Sequence, residues 1–205
     1  MIMPETDAPT SARRPMRADA RRNYDRLLAA AGEAFAAYGA DASLDDIANK
    51  AGVGNATLYR HFPNRETLLE AVFRDRVHTL CAQAEDLRGR GSPDDALVTW
   101  LRALVAHVAA YRGLATWLMS TASAQGEPSV SCQELIRAAG ESLLLRAQQS
   151  GAVRPDIGTS QLLRLTHAIA LATEQEPGEA DQILSLLMNG LRVQPAPPSS
   201  CSCVH

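Results

Sequence analysis

The sequence predicts an all-α protein of about nine helices arranged in two domains. Three observations predict it. Alanine and leucine dominate the 205-residue chain and Val-Ile-Thr runs are few, which favours helix over strand. Apolar residues recur at three- and four-residue spacing along most of the length. Between these stripes stand the residues that start and stop helices: Ser, Asn, Pro and paired acids at the beginnings, Gly at the ends. No internal repeat of fixed period is present.

Residues 1–18 contain Pro and Ser and have no periodicity, so they read as a flexible basic arm. Leu27, Ala30, Ala31, Ala34, Phe35 and Tyr38 then fall on one helical face, and Gly39 follows where a C-cap belongs. Ser43 opens SLDDIANKAGV as an N-cap, with Asp45 and Asp46 at the positive end of the helix dipole. Leu44, Ile47, Ala48 and Ala51 form its apolar face and Gly52 ends it. Asn55 is the expected cap of a third helix holding Thr57, Leu58, Tyr59 and Phe62, and Pro63 stops it. Asn64 caps a long fourth helix with Leu69, Val72, Phe73, Val77, Leu80, Ala84 and Leu87 in a stripe.

Gly89 to Gly91 break that helix. Ser92-Pro93-Asp94-Asp95 combines cap, Pro at the first helical position and acids in the first turn, and Leu97 to Tyr111 follow as a helix. Gly113 separates it from a shorter helix, Leu114 to about Ser123. A loop from Gln125 leads to a helix over about Val130–Ser150. GAVRPDIG connects to two last helices, about Thr159–Thr173 and Glu179–Leu191, split by Glu176-Pro177-Gly178. The expected organisation is an arm over 1–18, a helix-turn-helix domain over 19–66, a helical domain over 67–193, and a disordered tail over 194–205.

Charge and composition exclude several classes. No stretch reaches the roughly 18 apolar residues of a membrane helix, and the N-terminus lacks the apolar segment of a secretory signal, so a cytoplasmic protein is expected. Cys81 and Cys132 fall in apolar helical patterns and read as buried thiols. Cys201, Cys203 and His205 lie in the tail, with nothing around them to order a metal site. There is no glycine-rich phosphate loop, HExxH, GxSxG or CxxC, so no catalytic or metal residues and no cofactor are expected.

The net charge of −3 argues against a nucleic-acid partner, but its distribution does not. Residues 1–65 hold nine Lys/Arg against eight Asp/Glu, and Arg13, Arg14, Arg17, Arg21 and Arg22 crowd one stretch. Two short helices joined by a glycine turn also meet the physical demands of a helix-turn-helix. Ala48 is small enough for a close helix crossing, Gly52 tolerates positive φ, and Val53 and Leu58 flank the turn. The outer face of the second helix then carries Asn55, Thr57, Tyr59, Arg60 and His61. Thr57 offers a hydroxyl and a methyl to a base edge. Tyr59 and His61 offer hydrogen bonds to phosphate, and Arg60 points to DNA or to water. Arg65 and Ser43, at helix starts, are further phosphate candidates. Phe62 follows the Leu58 apolar row and is expected in the core.

At SLDDIANKAGVGNATLYRHFPNRETLL the chain resembles the TetR family of bacterial transcriptional repressors. The run Leu58 to Phe62, followed by Pro63, Asn64 and Arg65, carries the resemblance most specifically. It is strong over about residues 20–72 and architectural beyond. The resemblance implies a homodimer that binds an approximately palindromic double-stranded DNA operator and releases it when a small-molecule effector binds. It also brings the start of the first helix beside the DNA backbone, hence Arg22 as a candidate. Arg65 stands where the family often has lysine, which changes contact geometry.

In the second domain Trp100, His107, Tyr111, Trp117, Met119 and His167 read either as core or as the lining of an effector pocket. Leu163, Ile169, Leu186 and Leu187 of the last two helices are candidates for a dimer interface. The competing readings are a helical enzyme, a protein-interaction module, and a regulator with no small-molecule effector.

Overall fold

The computed structural model describes the backbone of residues 13–121 and 129–193 and the side chains of residues 18–110 and 132–193. Eight α-helices run through these residues: α1 Arg13–Tyr38, α2 Leu44–Lys50, α3 Asn55–His61, α4 Arg65–Arg88, α5 Pro93–Thr121, α6 Ser129–Gln149, α7 Thr159–Ala172 and α8 Ala180–Leu191. Short 3-10 turns at Gly39–Asp41 and Pro177–Glu179 precede α2 and α8. Among the described residues the β content is one isolated antiparallel bridge, Val153 with Arg192.

The all-α expectation is met, and two boundaries differ from the sequence reading. The first helix begins at Arg13, so residues 13–18 of the expected arm are helical. Alanines and arginines are good helix formers, and the Arg22–Asp19 and Arg21–Asp25 pairs lie at i,i+3 and i,i+4 on the same helix. Gly113 does not end a helix: α5 passes through it to Thr121. One glycine costs about 1 kcal/mol, too little to interrupt a helix supported on both sides.

The chain separates into two compact units. Among the described residues, the first takes in 13–75 with 111–121, and the second 76–110 with 129–193. The first core joins Leu27, Ala31 and Phe35 of α1, Ile47 and Ala48 of α2, Leu58 of α3 with Phe62, and Leu68, Leu69 and Val72 of α4. Those last three lie beyond position 66, so the first core extends further along α4 than the sequence boundary. The second core gathers Leu80 and Ala84 of α4, Leu97, Trp100, Leu101 and Leu104 of α5, Leu143 and Leu144 of α6, Leu162 of α7, and Leu184 and Met188 of α8.

Helix starts follow their sequence signals at three sites. Ser43 Oγ accepts from the Asp46 N–H at 3.2 Å, and Asn64 Oδ1 from the Thr67 N–H at 2.8 Å. Ser92 Oγ accepts from the Asp95 N–H and donates to Asp95 Oδ2. In the second core Gly140 stands at a close approach. A Cβ there would sit 3.1 and 3.2 Å from Trp100 ring carbons and 3.4 Å from Leu163 Cδ2.

Candidate nucleic-acid interface

Two seven-residue helices present the candidate site, and neither would persist alone at that length. Their core face holds them. Ile47 and Ala48 are fully buried, and Leu58 and Phe62 nearly so. Ala48 has only a methyl, which allows the crossing. At the turn Gly52 adopts φ +65°, its N–H donating to Asn49 O and the Val53 N–H to Ala48 O, each at 3.0 Å. A Cβ on Gly52 would meet nothing closer than Arg26 Nη1 at 3.6 Å. Backbone conformation, not space, therefore asks for glycine. Lys50 Nζ pairs with Glu33 Oε2 at 2.7 Å and ties the end of α2 to α1.

The start of α3 departs from the sequence reading. Gly54, extended at φ −76°, ψ 152°, is the N-cap and offers no side chain. Its carbonyl accepts from the Thr57 and Leu58 N–H groups at 2.8 and 3.2 Å. Asn55, the expected cap, is the first helical residue, and its Nδ2 donates to Asp45 Oδ1 at 2.7 Å. That bond crosses from α3 to the first turn of α2.

With Leu58 and Phe62 inward, Asn55, Ala56, Tyr59 and Arg60 are exposed and Thr57 and His61 half-buried. Tyr59 is 48% exposed, a large value for a tyrosine beside a core. The predicted residues of α3 thus lie outside the fully buried core, with Ser43 also exposed. Sequence reasoning missed Tyr24 of α1. Its ring meets His61 edge-on at 5.9 Å and lies tilted on Phe62 at 5.2 Å, so it fixes the end of α3 from behind. Its spacing from Leu27, Leu28 and Ala31 was the available signal.

Arg65 is placed differently from a free phosphate contact. Its Nη1 donates to the carbonyls of Ala40 and Ala42, at 2.7 and 2.5 Å, and the side chain is partly buried. It clamps the link between α1 and α2 to the start of α4. A guanidinium reaches two carbonyls at once, which the sequence alone did not reveal. Arg22 is exposed and hydrogen-bonded to Asp19, so part of its charge is met within α1. Arg26, also exposed, donates to Asn23 Oδ1 at 2.5 Å beside the turn.

Of the pocket candidates, Trp100, His107 and His167 have described side chains, and their surroundings differ. Trp100 is fully buried, its Nε1 donating to Leu80 O at 2.9 Å, so it is a satisfied core residue. His107 is half-buried on α5. Burial, with the nearby Arg76 guanidinium, pushes its pKa down to about 4. His167 is exposed on α7. The side chains of Tyr111, Trp117 and Met119 lie outside the described residues, as do Cys201, Cys203 and His205. Cys132 is buried and Cys81 half-buried, and burial raises the Cys81 pKa, with Cys132 and Glu85 adding to it. Of the interface candidates, Ile169 is a core residue at 7% exposure because it faces inward on α7. Leu163 and Leu187 pack partly on the core, and Leu186 is 65% exposed. Leu165 and Leu171 of α7 are exposed as well and had not been singled out.

Comparison with known proteins agrees with this geometry. Residues 27–72 match the bacterial regulatory proteins of the tetR family. Residues 92–193 match the C-terminal domain of SbtR-like transcriptional regulators. The structure is similar to the TetR transcriptional regulator SCO0520 of Streptomyces coelicolor, at 35% identity and TM-score 0.76 over 83% of this chain and 99% of that one. It is also similar to a TetR regulatory protein of Mycobacterium vanbaalenii, at 33% identity and TM-score 0.69 over 87% and 100%. UidR of Escherichia coli strain K12, an HTH-type transcriptional regulator, is 27% identical over 78% of this chain and 86% of its own length. A 64-residue stretch is 44% identical to the uncharacterized regulator TtgW of Pseudomonas putida, taking in 31% of this chain and 48% of that protein, less than half its length.

Proposed function

Because this chain belongs to the TetR family of bacterial transcriptional regulators, and so binds DNA through its helix-turn-helix, we propose that it is a homodimeric repressor released by a small-molecule effector. The observation that carries the reading is the α2–turn–α3 unit. Its inner face is locked by Ala48, Leu58 and Phe62, while Asn55, Thr57, Tyr59, Arg60 and His61 lie outside that core. Such a set fits a major groove, with Thr57 at base edges and Tyr59 and His61 on phosphate. Ser43, Arg22 and Arg60 add phosphate contacts. Arg65 acts mainly by holding the α1–α2 link.

Two copies give two recognition helices and an approximately palindromic operator. The exposed Leu165, Leu171 and Leu186 support an interface built from α7 and α8 across a two-fold axis. No helix among the described residues is long and apolar enough to cross a membrane; binding to an operator would place the protein's action in the cytoplasm. The protein has no catalytic role in this reading. An effector that prefers a state with misplaced recognition helices weakens operator binding by the same factor by which the operator weakens effector binding. α4, which carries both Val72 and Leu80, is the route between the two cores.

Selection of bound duplexes from a random library, followed by gel retardation against random competitor, tests the reading. A recovered palindrome bound by a dimer in sedimentation supports it, and binding with no sequence preference refutes it. A reporter behind the recovered site then distinguishes repression from activation.

A further inference from the structure

The hydrogen bond between Asn55 and Asp45 places a carboxylate against the leading edge of the recognition helix. Both residues are exposed, so the bond does little for a core. DNA is the least suitable neighbour for an acid, since every phosphate it approaches repels it. Yet Asp45 is not merely a dipole partner for α2. Its Oδ1 takes the Asn55 amide at 2.7 Å, ten residues away across the turn. Asp46, beside it, already supplies the negative charge in that first turn.

The bond has two consequences. The start of α3 has no side-chain cap, because Gly54 occupies the cap, and Asp45 tethers it instead. The bond also orients the Asn55 carboxamide. One amide N–H is held by Asp45 Oδ1, so the pair has one further N–H donor and two further acceptors, the carboxamide oxygen and Asp45 Oδ2. Acceptors pair with the exocyclic amines of a major groove, cytosine N4 and adenine N6, and not with the O6 and N7 acceptors of guanine or with phosphate.

We propose that the Asp45–Asn55 pair is a specificity device: it selects a cytosine or adenine amine at one position of each half-site and lowers affinity for DNA in general. The inference rests on the DNA-binding reading above and assigns a task to two residues of that surface. Asp45 acts in it both as a base-facing acceptor and as the positioning residue for Asn55.

The test uses the full chain and a randomised duplex library. Asp45→Asn, close to isosteric, removes the charge, and Asn55→Ala removes the amide. Far-UV circular dichroism confirms that each variant is folded. The unmutated protein is expected to enrich a half-site with one C or A position, and Asp45→Asn to relax that position. Asp45→Asn is also expected to bind random duplex about fivefold more tightly, the fold-change equivalent to ~1 kcal/mol for one charge near a phosphate in high dielectric. Asn55→Ala should relax the same position without that gain. Variants that recover the unmutated consensus with an unchanged ratio of selected to random affinity overturn the proposal. An unmutated chain that enriches no sequence overturns the DNA-binding reading itself, and the proposal with it.

Discussion

Arg65→Ala is expected to lower DNA affinity by loosening the helix-turn-helix, with the salt dependence of binding unchanged. The guanidinium Nη1 donates to Ala40 O and Ala42 O at 2.7 and 2.5 Å. Bonds from a charged donor contribute about 1.5–3 kcal/mol each. One nitrogen serves both carbonyls and the site is only partly buried, so about 2 kcal/mol for the pair is the working figure. Losing it frees the Gly39–Asp41 turn and the Ser43 cap of α2. Hydrogen exchange reads this directly at the Ala42 and Ile47 amides, which bond the Gly39 and Ser43 carbonyls. Urea unfolding followed by circular dichroism gives the stability change. The slope of log affinity against log salt tests charge separately. A lost phosphate contact lowers that slope by about 0.9, whereas a lost clamp leaves it in place. Arg65→Lys keeps the charge but not the fork, and should fall between the alanine variant and the unmutated protein in stability. If Arg65→Ala unfolds within about 0.5 kcal/mol of the unmutated chain while the slope drops by nearly one, the clamp reasoning is wrong.

Other perturbations follow from the second core. Gly140→Ala should destabilise by about 1 kcal/mol, because overpacking against the Trp100 ring and Leu163 outweighs the better helix propensity of alanine; tryptophan fluorescence during unfolding checks it. His107 titrates at about 4 in the folded chain against 6.5 ordinarily, so between those values the unfolded chain binds the extra proton. Its stability contribution is therefore whole above pH 6.5 and lost as the pH falls toward 4, by up to about 3 kcal/mol. His107→Gln should flatten the fall of Tm across that window, and an equal slope in both proteins would count against it. Leu186→Glu should leave the fold intact and shift sedimentation from dimer to monomer, since each buried leucine contributes about 2 kcal/mol. A variant that stays dimeric places the interface elsewhere.

Much of this protein was legible in the sequence because its signals are local. Ser43, Asn64 and Ser92 cap the helices they precede, since a hydroxyl or amide three residues from a free N–H needs no tertiary help. Gly52 had to turn the chain, and Leu58 and Phe62 had to face inward, because 3.6-residue periodicity leaves them no other face. The all-α class, the two-helix motif and the exposed residues of α3 all came from such rules. Tertiary structure decided the rest, where the deciding partner lies far along the chain. Arg65 meets carbonyls 23 and 25 residues away, so its part in clamping the α1–α2 link was invisible to any window. Asn55 gives up capping because Gly54 takes that place and Asp45 takes its amide. Trp100 and Ile169 share the apolar spacing of pocket and interface residues, and only packing against α4, α6 and α8 showed them to be core. Periodicity says which face of a helix is apolar; what covers that face is settled by how the helices meet.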